Sequence, residues 1–402
     1  MSFRPPRPQS VADRPPLAPV LALAVGALLV IGVFPAALHA QESGVVAAAD
    51  VTSGDVSLLD TTCWGVAARM SMGGQVHQLS PAPGGSRAYV AHSVRPPATT
   101  SGPEAGRGPA PPPGDGERAA EVGAVTVLDL AGRRTAGRFY LGRTGAITDV
   151  WSGHEGSRIW VAAERNGRVL TLEAATGELL MQWTIGESSP QSGAVSRDDR
   201  YLFVTNREAG TLTVIDRVTV AANTVPLDRG VGSVAVGPEG AAWVADRDGD
   251  RLWIVDGRTE EILGEMPSGG SVPVQLQRRP GAGEVWALHA GSGDLQIFDA
   301  GRRERVGGVE LPGRPRALRF SPDGRRALVT VPDPGLVVTV DAARRRVVDA
   351  ARVPLKPGAL GWFSCPEGRC GSPAARWRKG GTGLPGEHWS KAELVGDLWC
   401  GG

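Results

Sequence analysis

The chain has 402 residues, enough for a large core, and its 43 basic side chains almost balance its 42 acidic ones. This balance predicts no general attraction to nucleic acid or to an anionic membrane surface. The chain contains no Gly-rich phosphate loop, no Cys-X-X-Cys-His haem motif, no His-Glu-X-X-His motif and no Gly-X-Ser-X-Gly elbow, so the sequence predicts no catalytic residue, cofactor or metal.

Residues 1–40 have the pattern of a secretory signal peptide. Arg4, Arg7 and Arg14 supply a positive start, and residues 20–34 form an apolar run of about fifteen residues that ends before a predicted cleavage after Ala40. The alternative is an uncleaved membrane anchor, for which the run is short. We therefore expect a secreted or periplasmic protein with no membrane span after signal cleavage.

Residues 44–364 repeat a strand pattern about every forty residues. In the clearest copy, residues 201–205 and 211–215 predict two β-strands joined by a polar turn. Each copy has an acidic residue at the end of its second predicted strand; these residues are Asp60, Asp129, Glu173, Asp216, Asp256, Asp299 and Asp341. A fixed period of this length with several strands in each unit is typical of a β-propeller.

The first repeat lacks its innermost strand, and the end of the repeat region supplies one. Residues 45–73 contain only three predicted strands, whereas residues 358–362 form a single strand after the last complete repeat. The sequence therefore predicts an all-β, seven-bladed propeller of four-stranded antiparallel blades, closed by N- and C-terminal strands in one composite blade. Such closure removes exposed strand edges.

One repeat carries a family resemblance. Phe203-Val204-Thr205-Asn206, a turn containing glycine, and Val214-Ile215-Asp216 resemble the YVTN family of bacterial β-propeller repeats. Degenerate copies occur at 243–246 and 286–289. The resemblance implies a secreted seven-bladed propeller that most often acts as a non-enzymatic binding or scaffold module.

A Pro- and Gly-rich insertion, residues 94–121, interrupts the second blade between its second and third predicted strands. Its composition predicts a disordered loop. The alternative is a lid or a partner-docking segment.

Four cysteines, Cys63, Cys365, Cys370 and Cys400, predict two disulfides in an oxidising compartment. Cys63 and the pair Cys365 and Cys370 flank strands of the composite blade, so we expect Cys63 to bond with one of that pair and clamp the two ends of the chain. A zinc site that uses Cys365, Cys370 and His388 is the competing interpretation. Residues 365–402 are a cysteine-containing tail without clean strand alternation, either tethered by a disulfide or translated from a damaged reading frame.

Two sets of residues are candidates for a binding site at the mouth of the central channel. The first set lies where hairpin turns begin, ten residues before the aligned acids. Most of these positions hold a polar residue, namely Asp50, Asn206, Asp246 and His289, and His92 lies at the matching place before the insertion. The links between blades add Arg143, Arg229, Arg314 and Lys356. Together they predict a partly basic mouth for a small anionic ligand or an acidic protein segment. The alternative role of the first set is strand-end capping. His77 lies on an innermost strand, where a structural, hydrogen-bonded role is the alternative to ligand binding.

Three functions are compatible with this pattern. The first is a non-enzymatic, monomeric binding or scaffold module. The second is an enzyme, since similar propellers include lactonases of the 6-phosphogluconolactonase type and streptogramin lyases. Ala163 and Val331 interrupt the ring of polar turn positions, which argues against catalysis. The third is an electron-transfer subunit resembling the heavy chains of quinoprotein amine dehydrogenases.

Overall fold

A computed structural model describes residues 44–364, apart from residues 51, 62–63, 95–121, 143–146, 164–166, 187–188 and 354–355. The predicted signal peptide, nearly all of the predicted insertion, Arg143, all four cysteines and the tail therefore lie outside the described residues. None of the described residues belongs to a helix long and apolar enough to cross a membrane.

All the regular elements among the described residues are β-strands, joined by turns and short links. In chain order the strands are β1 (Gly44–Asp50), β2 (Asp55–Asp60), β3 (Val66–Ser71), β4 (Gly74–Pro81), β5 (Arg87–Val94), β6 (Val122–Asp129), β7 (Arg134–Tyr140), β8 (Ile147–Ser152), β9 (Arg158–Ala163), β10 (Arg168–Glu173), β11 (Leu179–Thr184), β12 (Pro190–Val195), β13 (Tyr201–Asn206), β14 (Thr211–Asp216), β15 (Ala221–Pro226), β16 (Val231–Val236), β17 (Ala242–Asp246), β18 (Arg251–Val255), β19 (Ile262–Pro267), β20 (Pro273–Arg278), β21 (Glu284–His289), β22 (Asp294–Asp299), β23 (Glu304–Glu310), β24 (Ala317–Phe320), β25 (Arg326–Val331), β26 (Leu336–Asp341), β27 (Arg346–Arg352) and β28 (Pro357–Ser364).

These strands form seven four-stranded antiparallel sheets. Six sheets consist of four consecutive strands, from β4–β7 to β24–β27, and the seventh has the order β28-β1-β2-β3. In that first blade Val45 pairs with Phe363 and Ala47 with Gly361. The predicted seven-bladed propeller with a composite blade from both ends of the chain is thus confirmed.

The innermost strands contact one another in the ring order β28, β4, β8, β12, β16, β20, β24 and back to β28. We call the face that carries the turns between second and third strands, together with the links between blades, the mouth face. The other face is the far face. The inner strands therefore surround a central channel that runs from the mouth face to the far face.

The core lies between neighbouring blades, because each middle strand is covered on both sides. Trp243 and Phe298 join the fifth and sixth blades, with ring centroids 6.0 Å apart. Trp286 and Phe320 join the sixth and seventh blades edge to face at 5.1 Å. Both tryptophans are fully buried. This packing explains why the middle strands have nearly continuous apolar runs instead of a strict alternation.

Candidate channel site

The central channel contains a cavity of about 500 Å³, lined by residues of all seven innermost strands. This volume falls within the range of ordinary small-molecule sites. Since every blade contributes to its wall, the cavity exists only in the closed ring.

The cavity lining is strongly polar and carries an excess of positive charge. Among the described residues that line it, four are arginines and one is a carboxylate; these are Arg247, Arg278, Arg316, Arg319 and Asp149. A confined space with this imbalance attracts anions, because the low-dielectric walls focus the field of the guanidinium groups.

The mouth end of the cavity has a cluster of guanidinium groups. Arg247 follows β17 in a hairpin turn, and Arg316 directly precedes β24. Burial lowers the pKa of Arg247, and the charges of Arg207 and Arg316 lower it further, while the charge of Asp248 acts in the opposite direction. Arg247 Nε is buried and has no hydrogen-bond partner among the described residues. Like charges held together with an unpartnered donor indicate a site that is completed by an anion.

Gly232 leaves space for the Arg247 side chain against the channel wall, because glycine has no Cβ atom. A Cβ atom at this position in β16 would lie only 3.2 Å from Arg247 Cδ. The arginine stem therefore lies flat against the inner strand, and its charged end stays beside the cavity.

A second cavity of about 500 Å³ opens on the mouth face. Arg207, Glu208, Arg229, Gly230 and Asp248 line it. Of the arginines that the sequence predicts for the mouth, Arg229 thus lies at a cavity. Its neighbour Arg207 was not a candidate.

Asp149 lies deeper in the channel, on β8, and is almost fully buried. Its Oδ2 accepts a hydrogen bond from the backbone N–H of Gly193 at 2.9 Å, and its Oδ1 accepts one from Val150 at 2.8 Å. Burial raises the pKa of Asp149 to about 6, although the Gly193 bond and the charge of Arg319 act in the opposite direction. A buried carboxyl with a pKa this close to neutrality is typical of functional sites.

Arg319 lies on β24 and reaches across the first blade to the second. Its Nη2 lies 3.2 Å from the carbonyl oxygen of Leu79 and 3.5 Å from Gln78 Oε1. Burial lowers the pKa of Arg319, and Asp149 opposes this shift. Both charged groups line the same cavity, but they form no ion pair within 4.0 Å.

The predicted acidic and amide residues of the hairpin turns bond within their own hairpins. Asp50 Oδ1 accepts hydrogen bonds from the backbone N–H groups of Thr52 and Ser53 at 2.7 and 3.0 Å. Asp246 does the same for its own turn, and its Oδ2 lies 3.0 Å from Arg251 Nε. Asn206 Nδ2 donates to hydroxyls of the following strand at 3.0 and 2.8 Å. This is the geometry of strand-end caps.

The two predicted histidines at the same register are fully buried. His92 Nε2 lies 2.7 Å from Thr126 Oγ1. Burial, followed by the charges of Arg138 and His77, lowers the pKa of His92 to about 3, so this imidazole is neutral at physiological pH. His289 Nδ1 lies 3.0 Å from Asp294 Oδ1, and burial lowers its pKa despite that carboxylate. His77 lines the cavity and its Nε2 lies 2.9 Å from Ser93 Oγ.

The remaining predicted cations lie at the surface of the mouth face. Arg314 is exposed, and it is not among the residues that line either cavity. Lys356 is also exposed, and its Nζ lies 3.2 Å from Asp333 Oδ1. Its backbone N–H donates to Asp50 Oδ2 at 3.0 Å, which ties the last link to the first hairpin. The binding role of these residues stays a prediction.

Sequence reasoning missed the arginines that line the main cavity, Arg247, Arg278, Arg316 and Arg319, and it missed Asp149. A signal was present for Arg247 and for Arg207, because each directly follows a hairpin cap. Within the described part of the chain, no three His, Cys, Asp or Glu side chains are placed to hold a metal ion.

Comparisons with known proteins show the fold and no family. No protein-family model matches the chain, and no curated protein matches it. Among solved structures, "Dihydro-heme d1 dehydrogenase NirN in complex with DHE" has a TM-score of 0.54 at 14% identity, covering 79% of this chain and 74% of that one. Hydrazine synthase of Kuenenia stuttgartiensis has a TM-score of 0.48 at 17% identity, covering 53% of this chain and 68% of that one.

Proposed function

We propose that this protein is a secreted or periplasmic, YVTN-like propeller that binds a small anionic ligand at the mouth of its central channel without catalysis. The observation that carries the proposal is the mouth cluster around Arg247: burial and the charges of Arg207 and Arg316 lower the pKa of Arg247, against the opposing charge of Asp248, and its buried Nε has no hydrogen-bond partner among the described residues. An anion would neutralise this repulsion and accept the free hydrogen bond.

The anion of the proposal is a compound with several carboxylate or phosphate groups. Arg247, Arg316 and Arg319 line one cavity at two depths, so a ligand with separated anionic groups can contact more than one guanidinium.

Calorimetric titration with citrate and with inorganic pyrophosphate tests the proposal. We expect binding to the full chain that weakens as salt is raised. Arg247→Gln and Arg316→Gln should each weaken binding by roughly tenfold or more, which corresponds to the loss of one charge-assisted hydrogen bond. Arg258→Gln is the matched control, because Arg258 is exposed and lies in the far-face turn of the same blade as Arg247. Unchanged affinity in both mouth variants, or no heat with either anion, would refute the proposal.

One observation favours a second candidate, a lactonase-like or streptogramin-lyase-like enzyme. Asp149 lies in the channel with its pKa raised to about 6, a value suited to general acid–base catalysis near neutral pH. Turnover of a lactone by the wild-type protein, abolished in Asp149→Asn, would support this candidate. Absence of turnover across a lactone panel would leave the binding proposal alone.

Secretion is the third part of the proposal, and it is supported by the apolar run and the positive residues of the first forty positions. Cell fractionation with N-terminal sequencing tests it. We expect a mature chain in the periplasm or medium that starts after Ala40. A chain that keeps residues 1–40 in the membrane fraction would show the anchor instead.

A further inference from the structure

Asp149 occupies a position that recurs on the innermost strands. At this position the inner-strand residue pairs with a residue of the second strand, namely the residue just before the cap of the hairpin turn. The pairs are Gln78 with Ala91, Asp149 with Ala162, Ser192 with Thr205, Gln275 with Leu288, and Ala317 with Thr330. In the fifth blade Ser233 lies at the matching place, next to the pair of Val234 with Val244. Asp149 is thus the ionisable member of a set of neutral residues.

The structural task at this position requires only a neutral acceptor. In three blades the side chain accepts a hydrogen bond from the next inner strand: Asp149 from Gly193 at 2.9 Å, Ser233 from Leu276 at 3.0 Å, and Gln275 from Leu318 at 2.7 Å. A hydroxyl or an amide oxygen therefore forms the link between blades as well as a carboxylate does. The negative charge of Asp149 needs another explanation, since a buried charge without one is costly.

The surroundings of Asp149 show which ligand group that charge suits. Asp149 is the one carboxylate among the described residues of the cavity lining. Its two oxygens each accept one backbone N–H, and the Ser192 side chain also donates to this carboxylate. A carboxylate has about four acceptor sites, so one remains for a further donor. The Arg319 guanidinium lies beside Gln78, at the same register in the adjacent blade. A carboxylate and a guanidinium thus border one part of the cavity without contacting each other.

We infer that the ligand of the channel carries an ammonium group as well as anionic groups, and that its class is an acidic amino acid or a short acidic peptide with a free amino end. Asp149 would accept hydrogen bonds from the ammonium, and the arginines would bind the carboxylates. This inference rests on the proposed function. A ligand with only anionic groups would have its charge repelled by Asp149, whereas an ammonium group converts that repulsion into attraction. The cavity volume is sufficient for such a molecule.

Matched pairs of ligands that differ only in the amino group test the inference. The full chain is titrated at about pH 8, above the raised pKa of Asp149, with L-glutamate against glutarate and L-aspartate against succinate. We expect the amino member of at least one pair to bind about tenfold more tightly than its deaminated partner. This comparison uses the wild-type protein, so it does not depend on whether a variant folds.

The variant Asp149→Asn should reduce that ratio to near one while retaining the deaminated acid's affinity or increasing it. Asp256→Asn is the control, because Asp256 bonds to its own far-face turn, and it should keep the wild-type ratio. Equal affinity within both pairs, or a ratio unchanged in Asp149→Asn, would overturn the inference. If the acids bind through Arg247 but the amino group gives no gain, the inference fails and the proposed function stands. If none of the four compounds binds, the inference fails, and the titrations with citrate and pyrophosphate decide the proposed function separately.

Discussion

Replacing Asp149 by asparagine should change how the stability of the propeller depends on pH. The folded-state pKa of Asp149 is about 6, against an ordinary value of 3.8. Because this pKa is raised, the folded protein keeps a proton that the unfolded chain loses between about pH 4 and pH 6. The free energy of unfolding therefore falls as pH rises through this window. The shift of about two pH units corresponds to about 3 kcal/mol.

Urea denaturation at a series of pH values measures this effect. Urea is preferable to guanidinium because it leaves the charges unscreened. Wild type should lose about 2.5 kcal/mol more than Asp149→Asn between pH 4 and pH 8, because the unfolded-state carboxyl is already partly ionised at pH 4. Asparagine also destabilises the protein by a constant amount, because its amide cannot accept both backbone N–H groups. This amount is the same at every pH, so it cancels when the change in stability with pH is compared between the two proteins. Since the other titrating groups are the same in both proteins, parallel stability curves would refute a raised pKa at Asp149.

Asp256→Asn provides a control of opposite sign. Backbone N–H groups of Thr259 and Arg258 hold the pKa of Asp256 below its ordinary value. Its charged form is therefore stabilising, and its contribution is lost as pH falls below about 4. The control variant should be less stable than wild type at neutral pH, with the difference closing in acid.

Three further predictions concern stability. Trp286→Ala should lower the free energy of unfolding by about 3–5 kcal/mol, measured by urea denaturation, because the side chain is fully buried between two blades; a loss below about 1 kcal/mol would contradict this packing. Asp199→Asn should cost about 1–3 kcal/mol, since its carboxylate accepts three bonds from the neighbouring blade, while His154→Ala should cost less because half of its side chain is exposed; the reverse order would be contrary evidence. Deleting residues 357–402 should make the protein aggregate by light scattering, because it exposes the edge of β1, whereas deleting residues 365–402 keeps every paired strand; equal solubility would count against the composite blade.

The fold was predictable because its signals are local and repeated. The hairpin of residues 201–216 shows strand composition, a turn and a closing acid within sixteen positions, and the ring repeats it at a nearly constant spacing. The composite blade followed from counting strands, since a missing inner strand at one end matched a surplus strand at the other. Neither step required knowledge of side-chain direction.

The site was less predictable because side-chain direction decides it. The candidates chosen by register, such as Asp246 and Asn206, turn their polar atoms back to their own hairpins. The residue that follows each of these two caps, Arg247 or Arg207, instead lines a cavity. A shift of one residue thus separates a structural cap from a residue at the mouth. The spacing of aligned acids identifies the turn, but it does not show which residue of the turn faces the channel.

Departures from the repeat, more than the repeat itself, indicate where this protein can bind a ligand. A ring of similar blades needs the same hydrogen bonds at the same register, and neutral side chains such as Ser233 and Gln275 already provide them. Natural selection for folding alone gives no reason to place a carboxylate at the equivalent position of the third blade, where burial opposes its charge. The buried Nε of Arg247, which has no hydrogen-bond partner among the described residues, is a second such departure. Both departures lie in the same channel lining, and opposite charges held apart in one cavity are what a ligand with both kinds of charge requires.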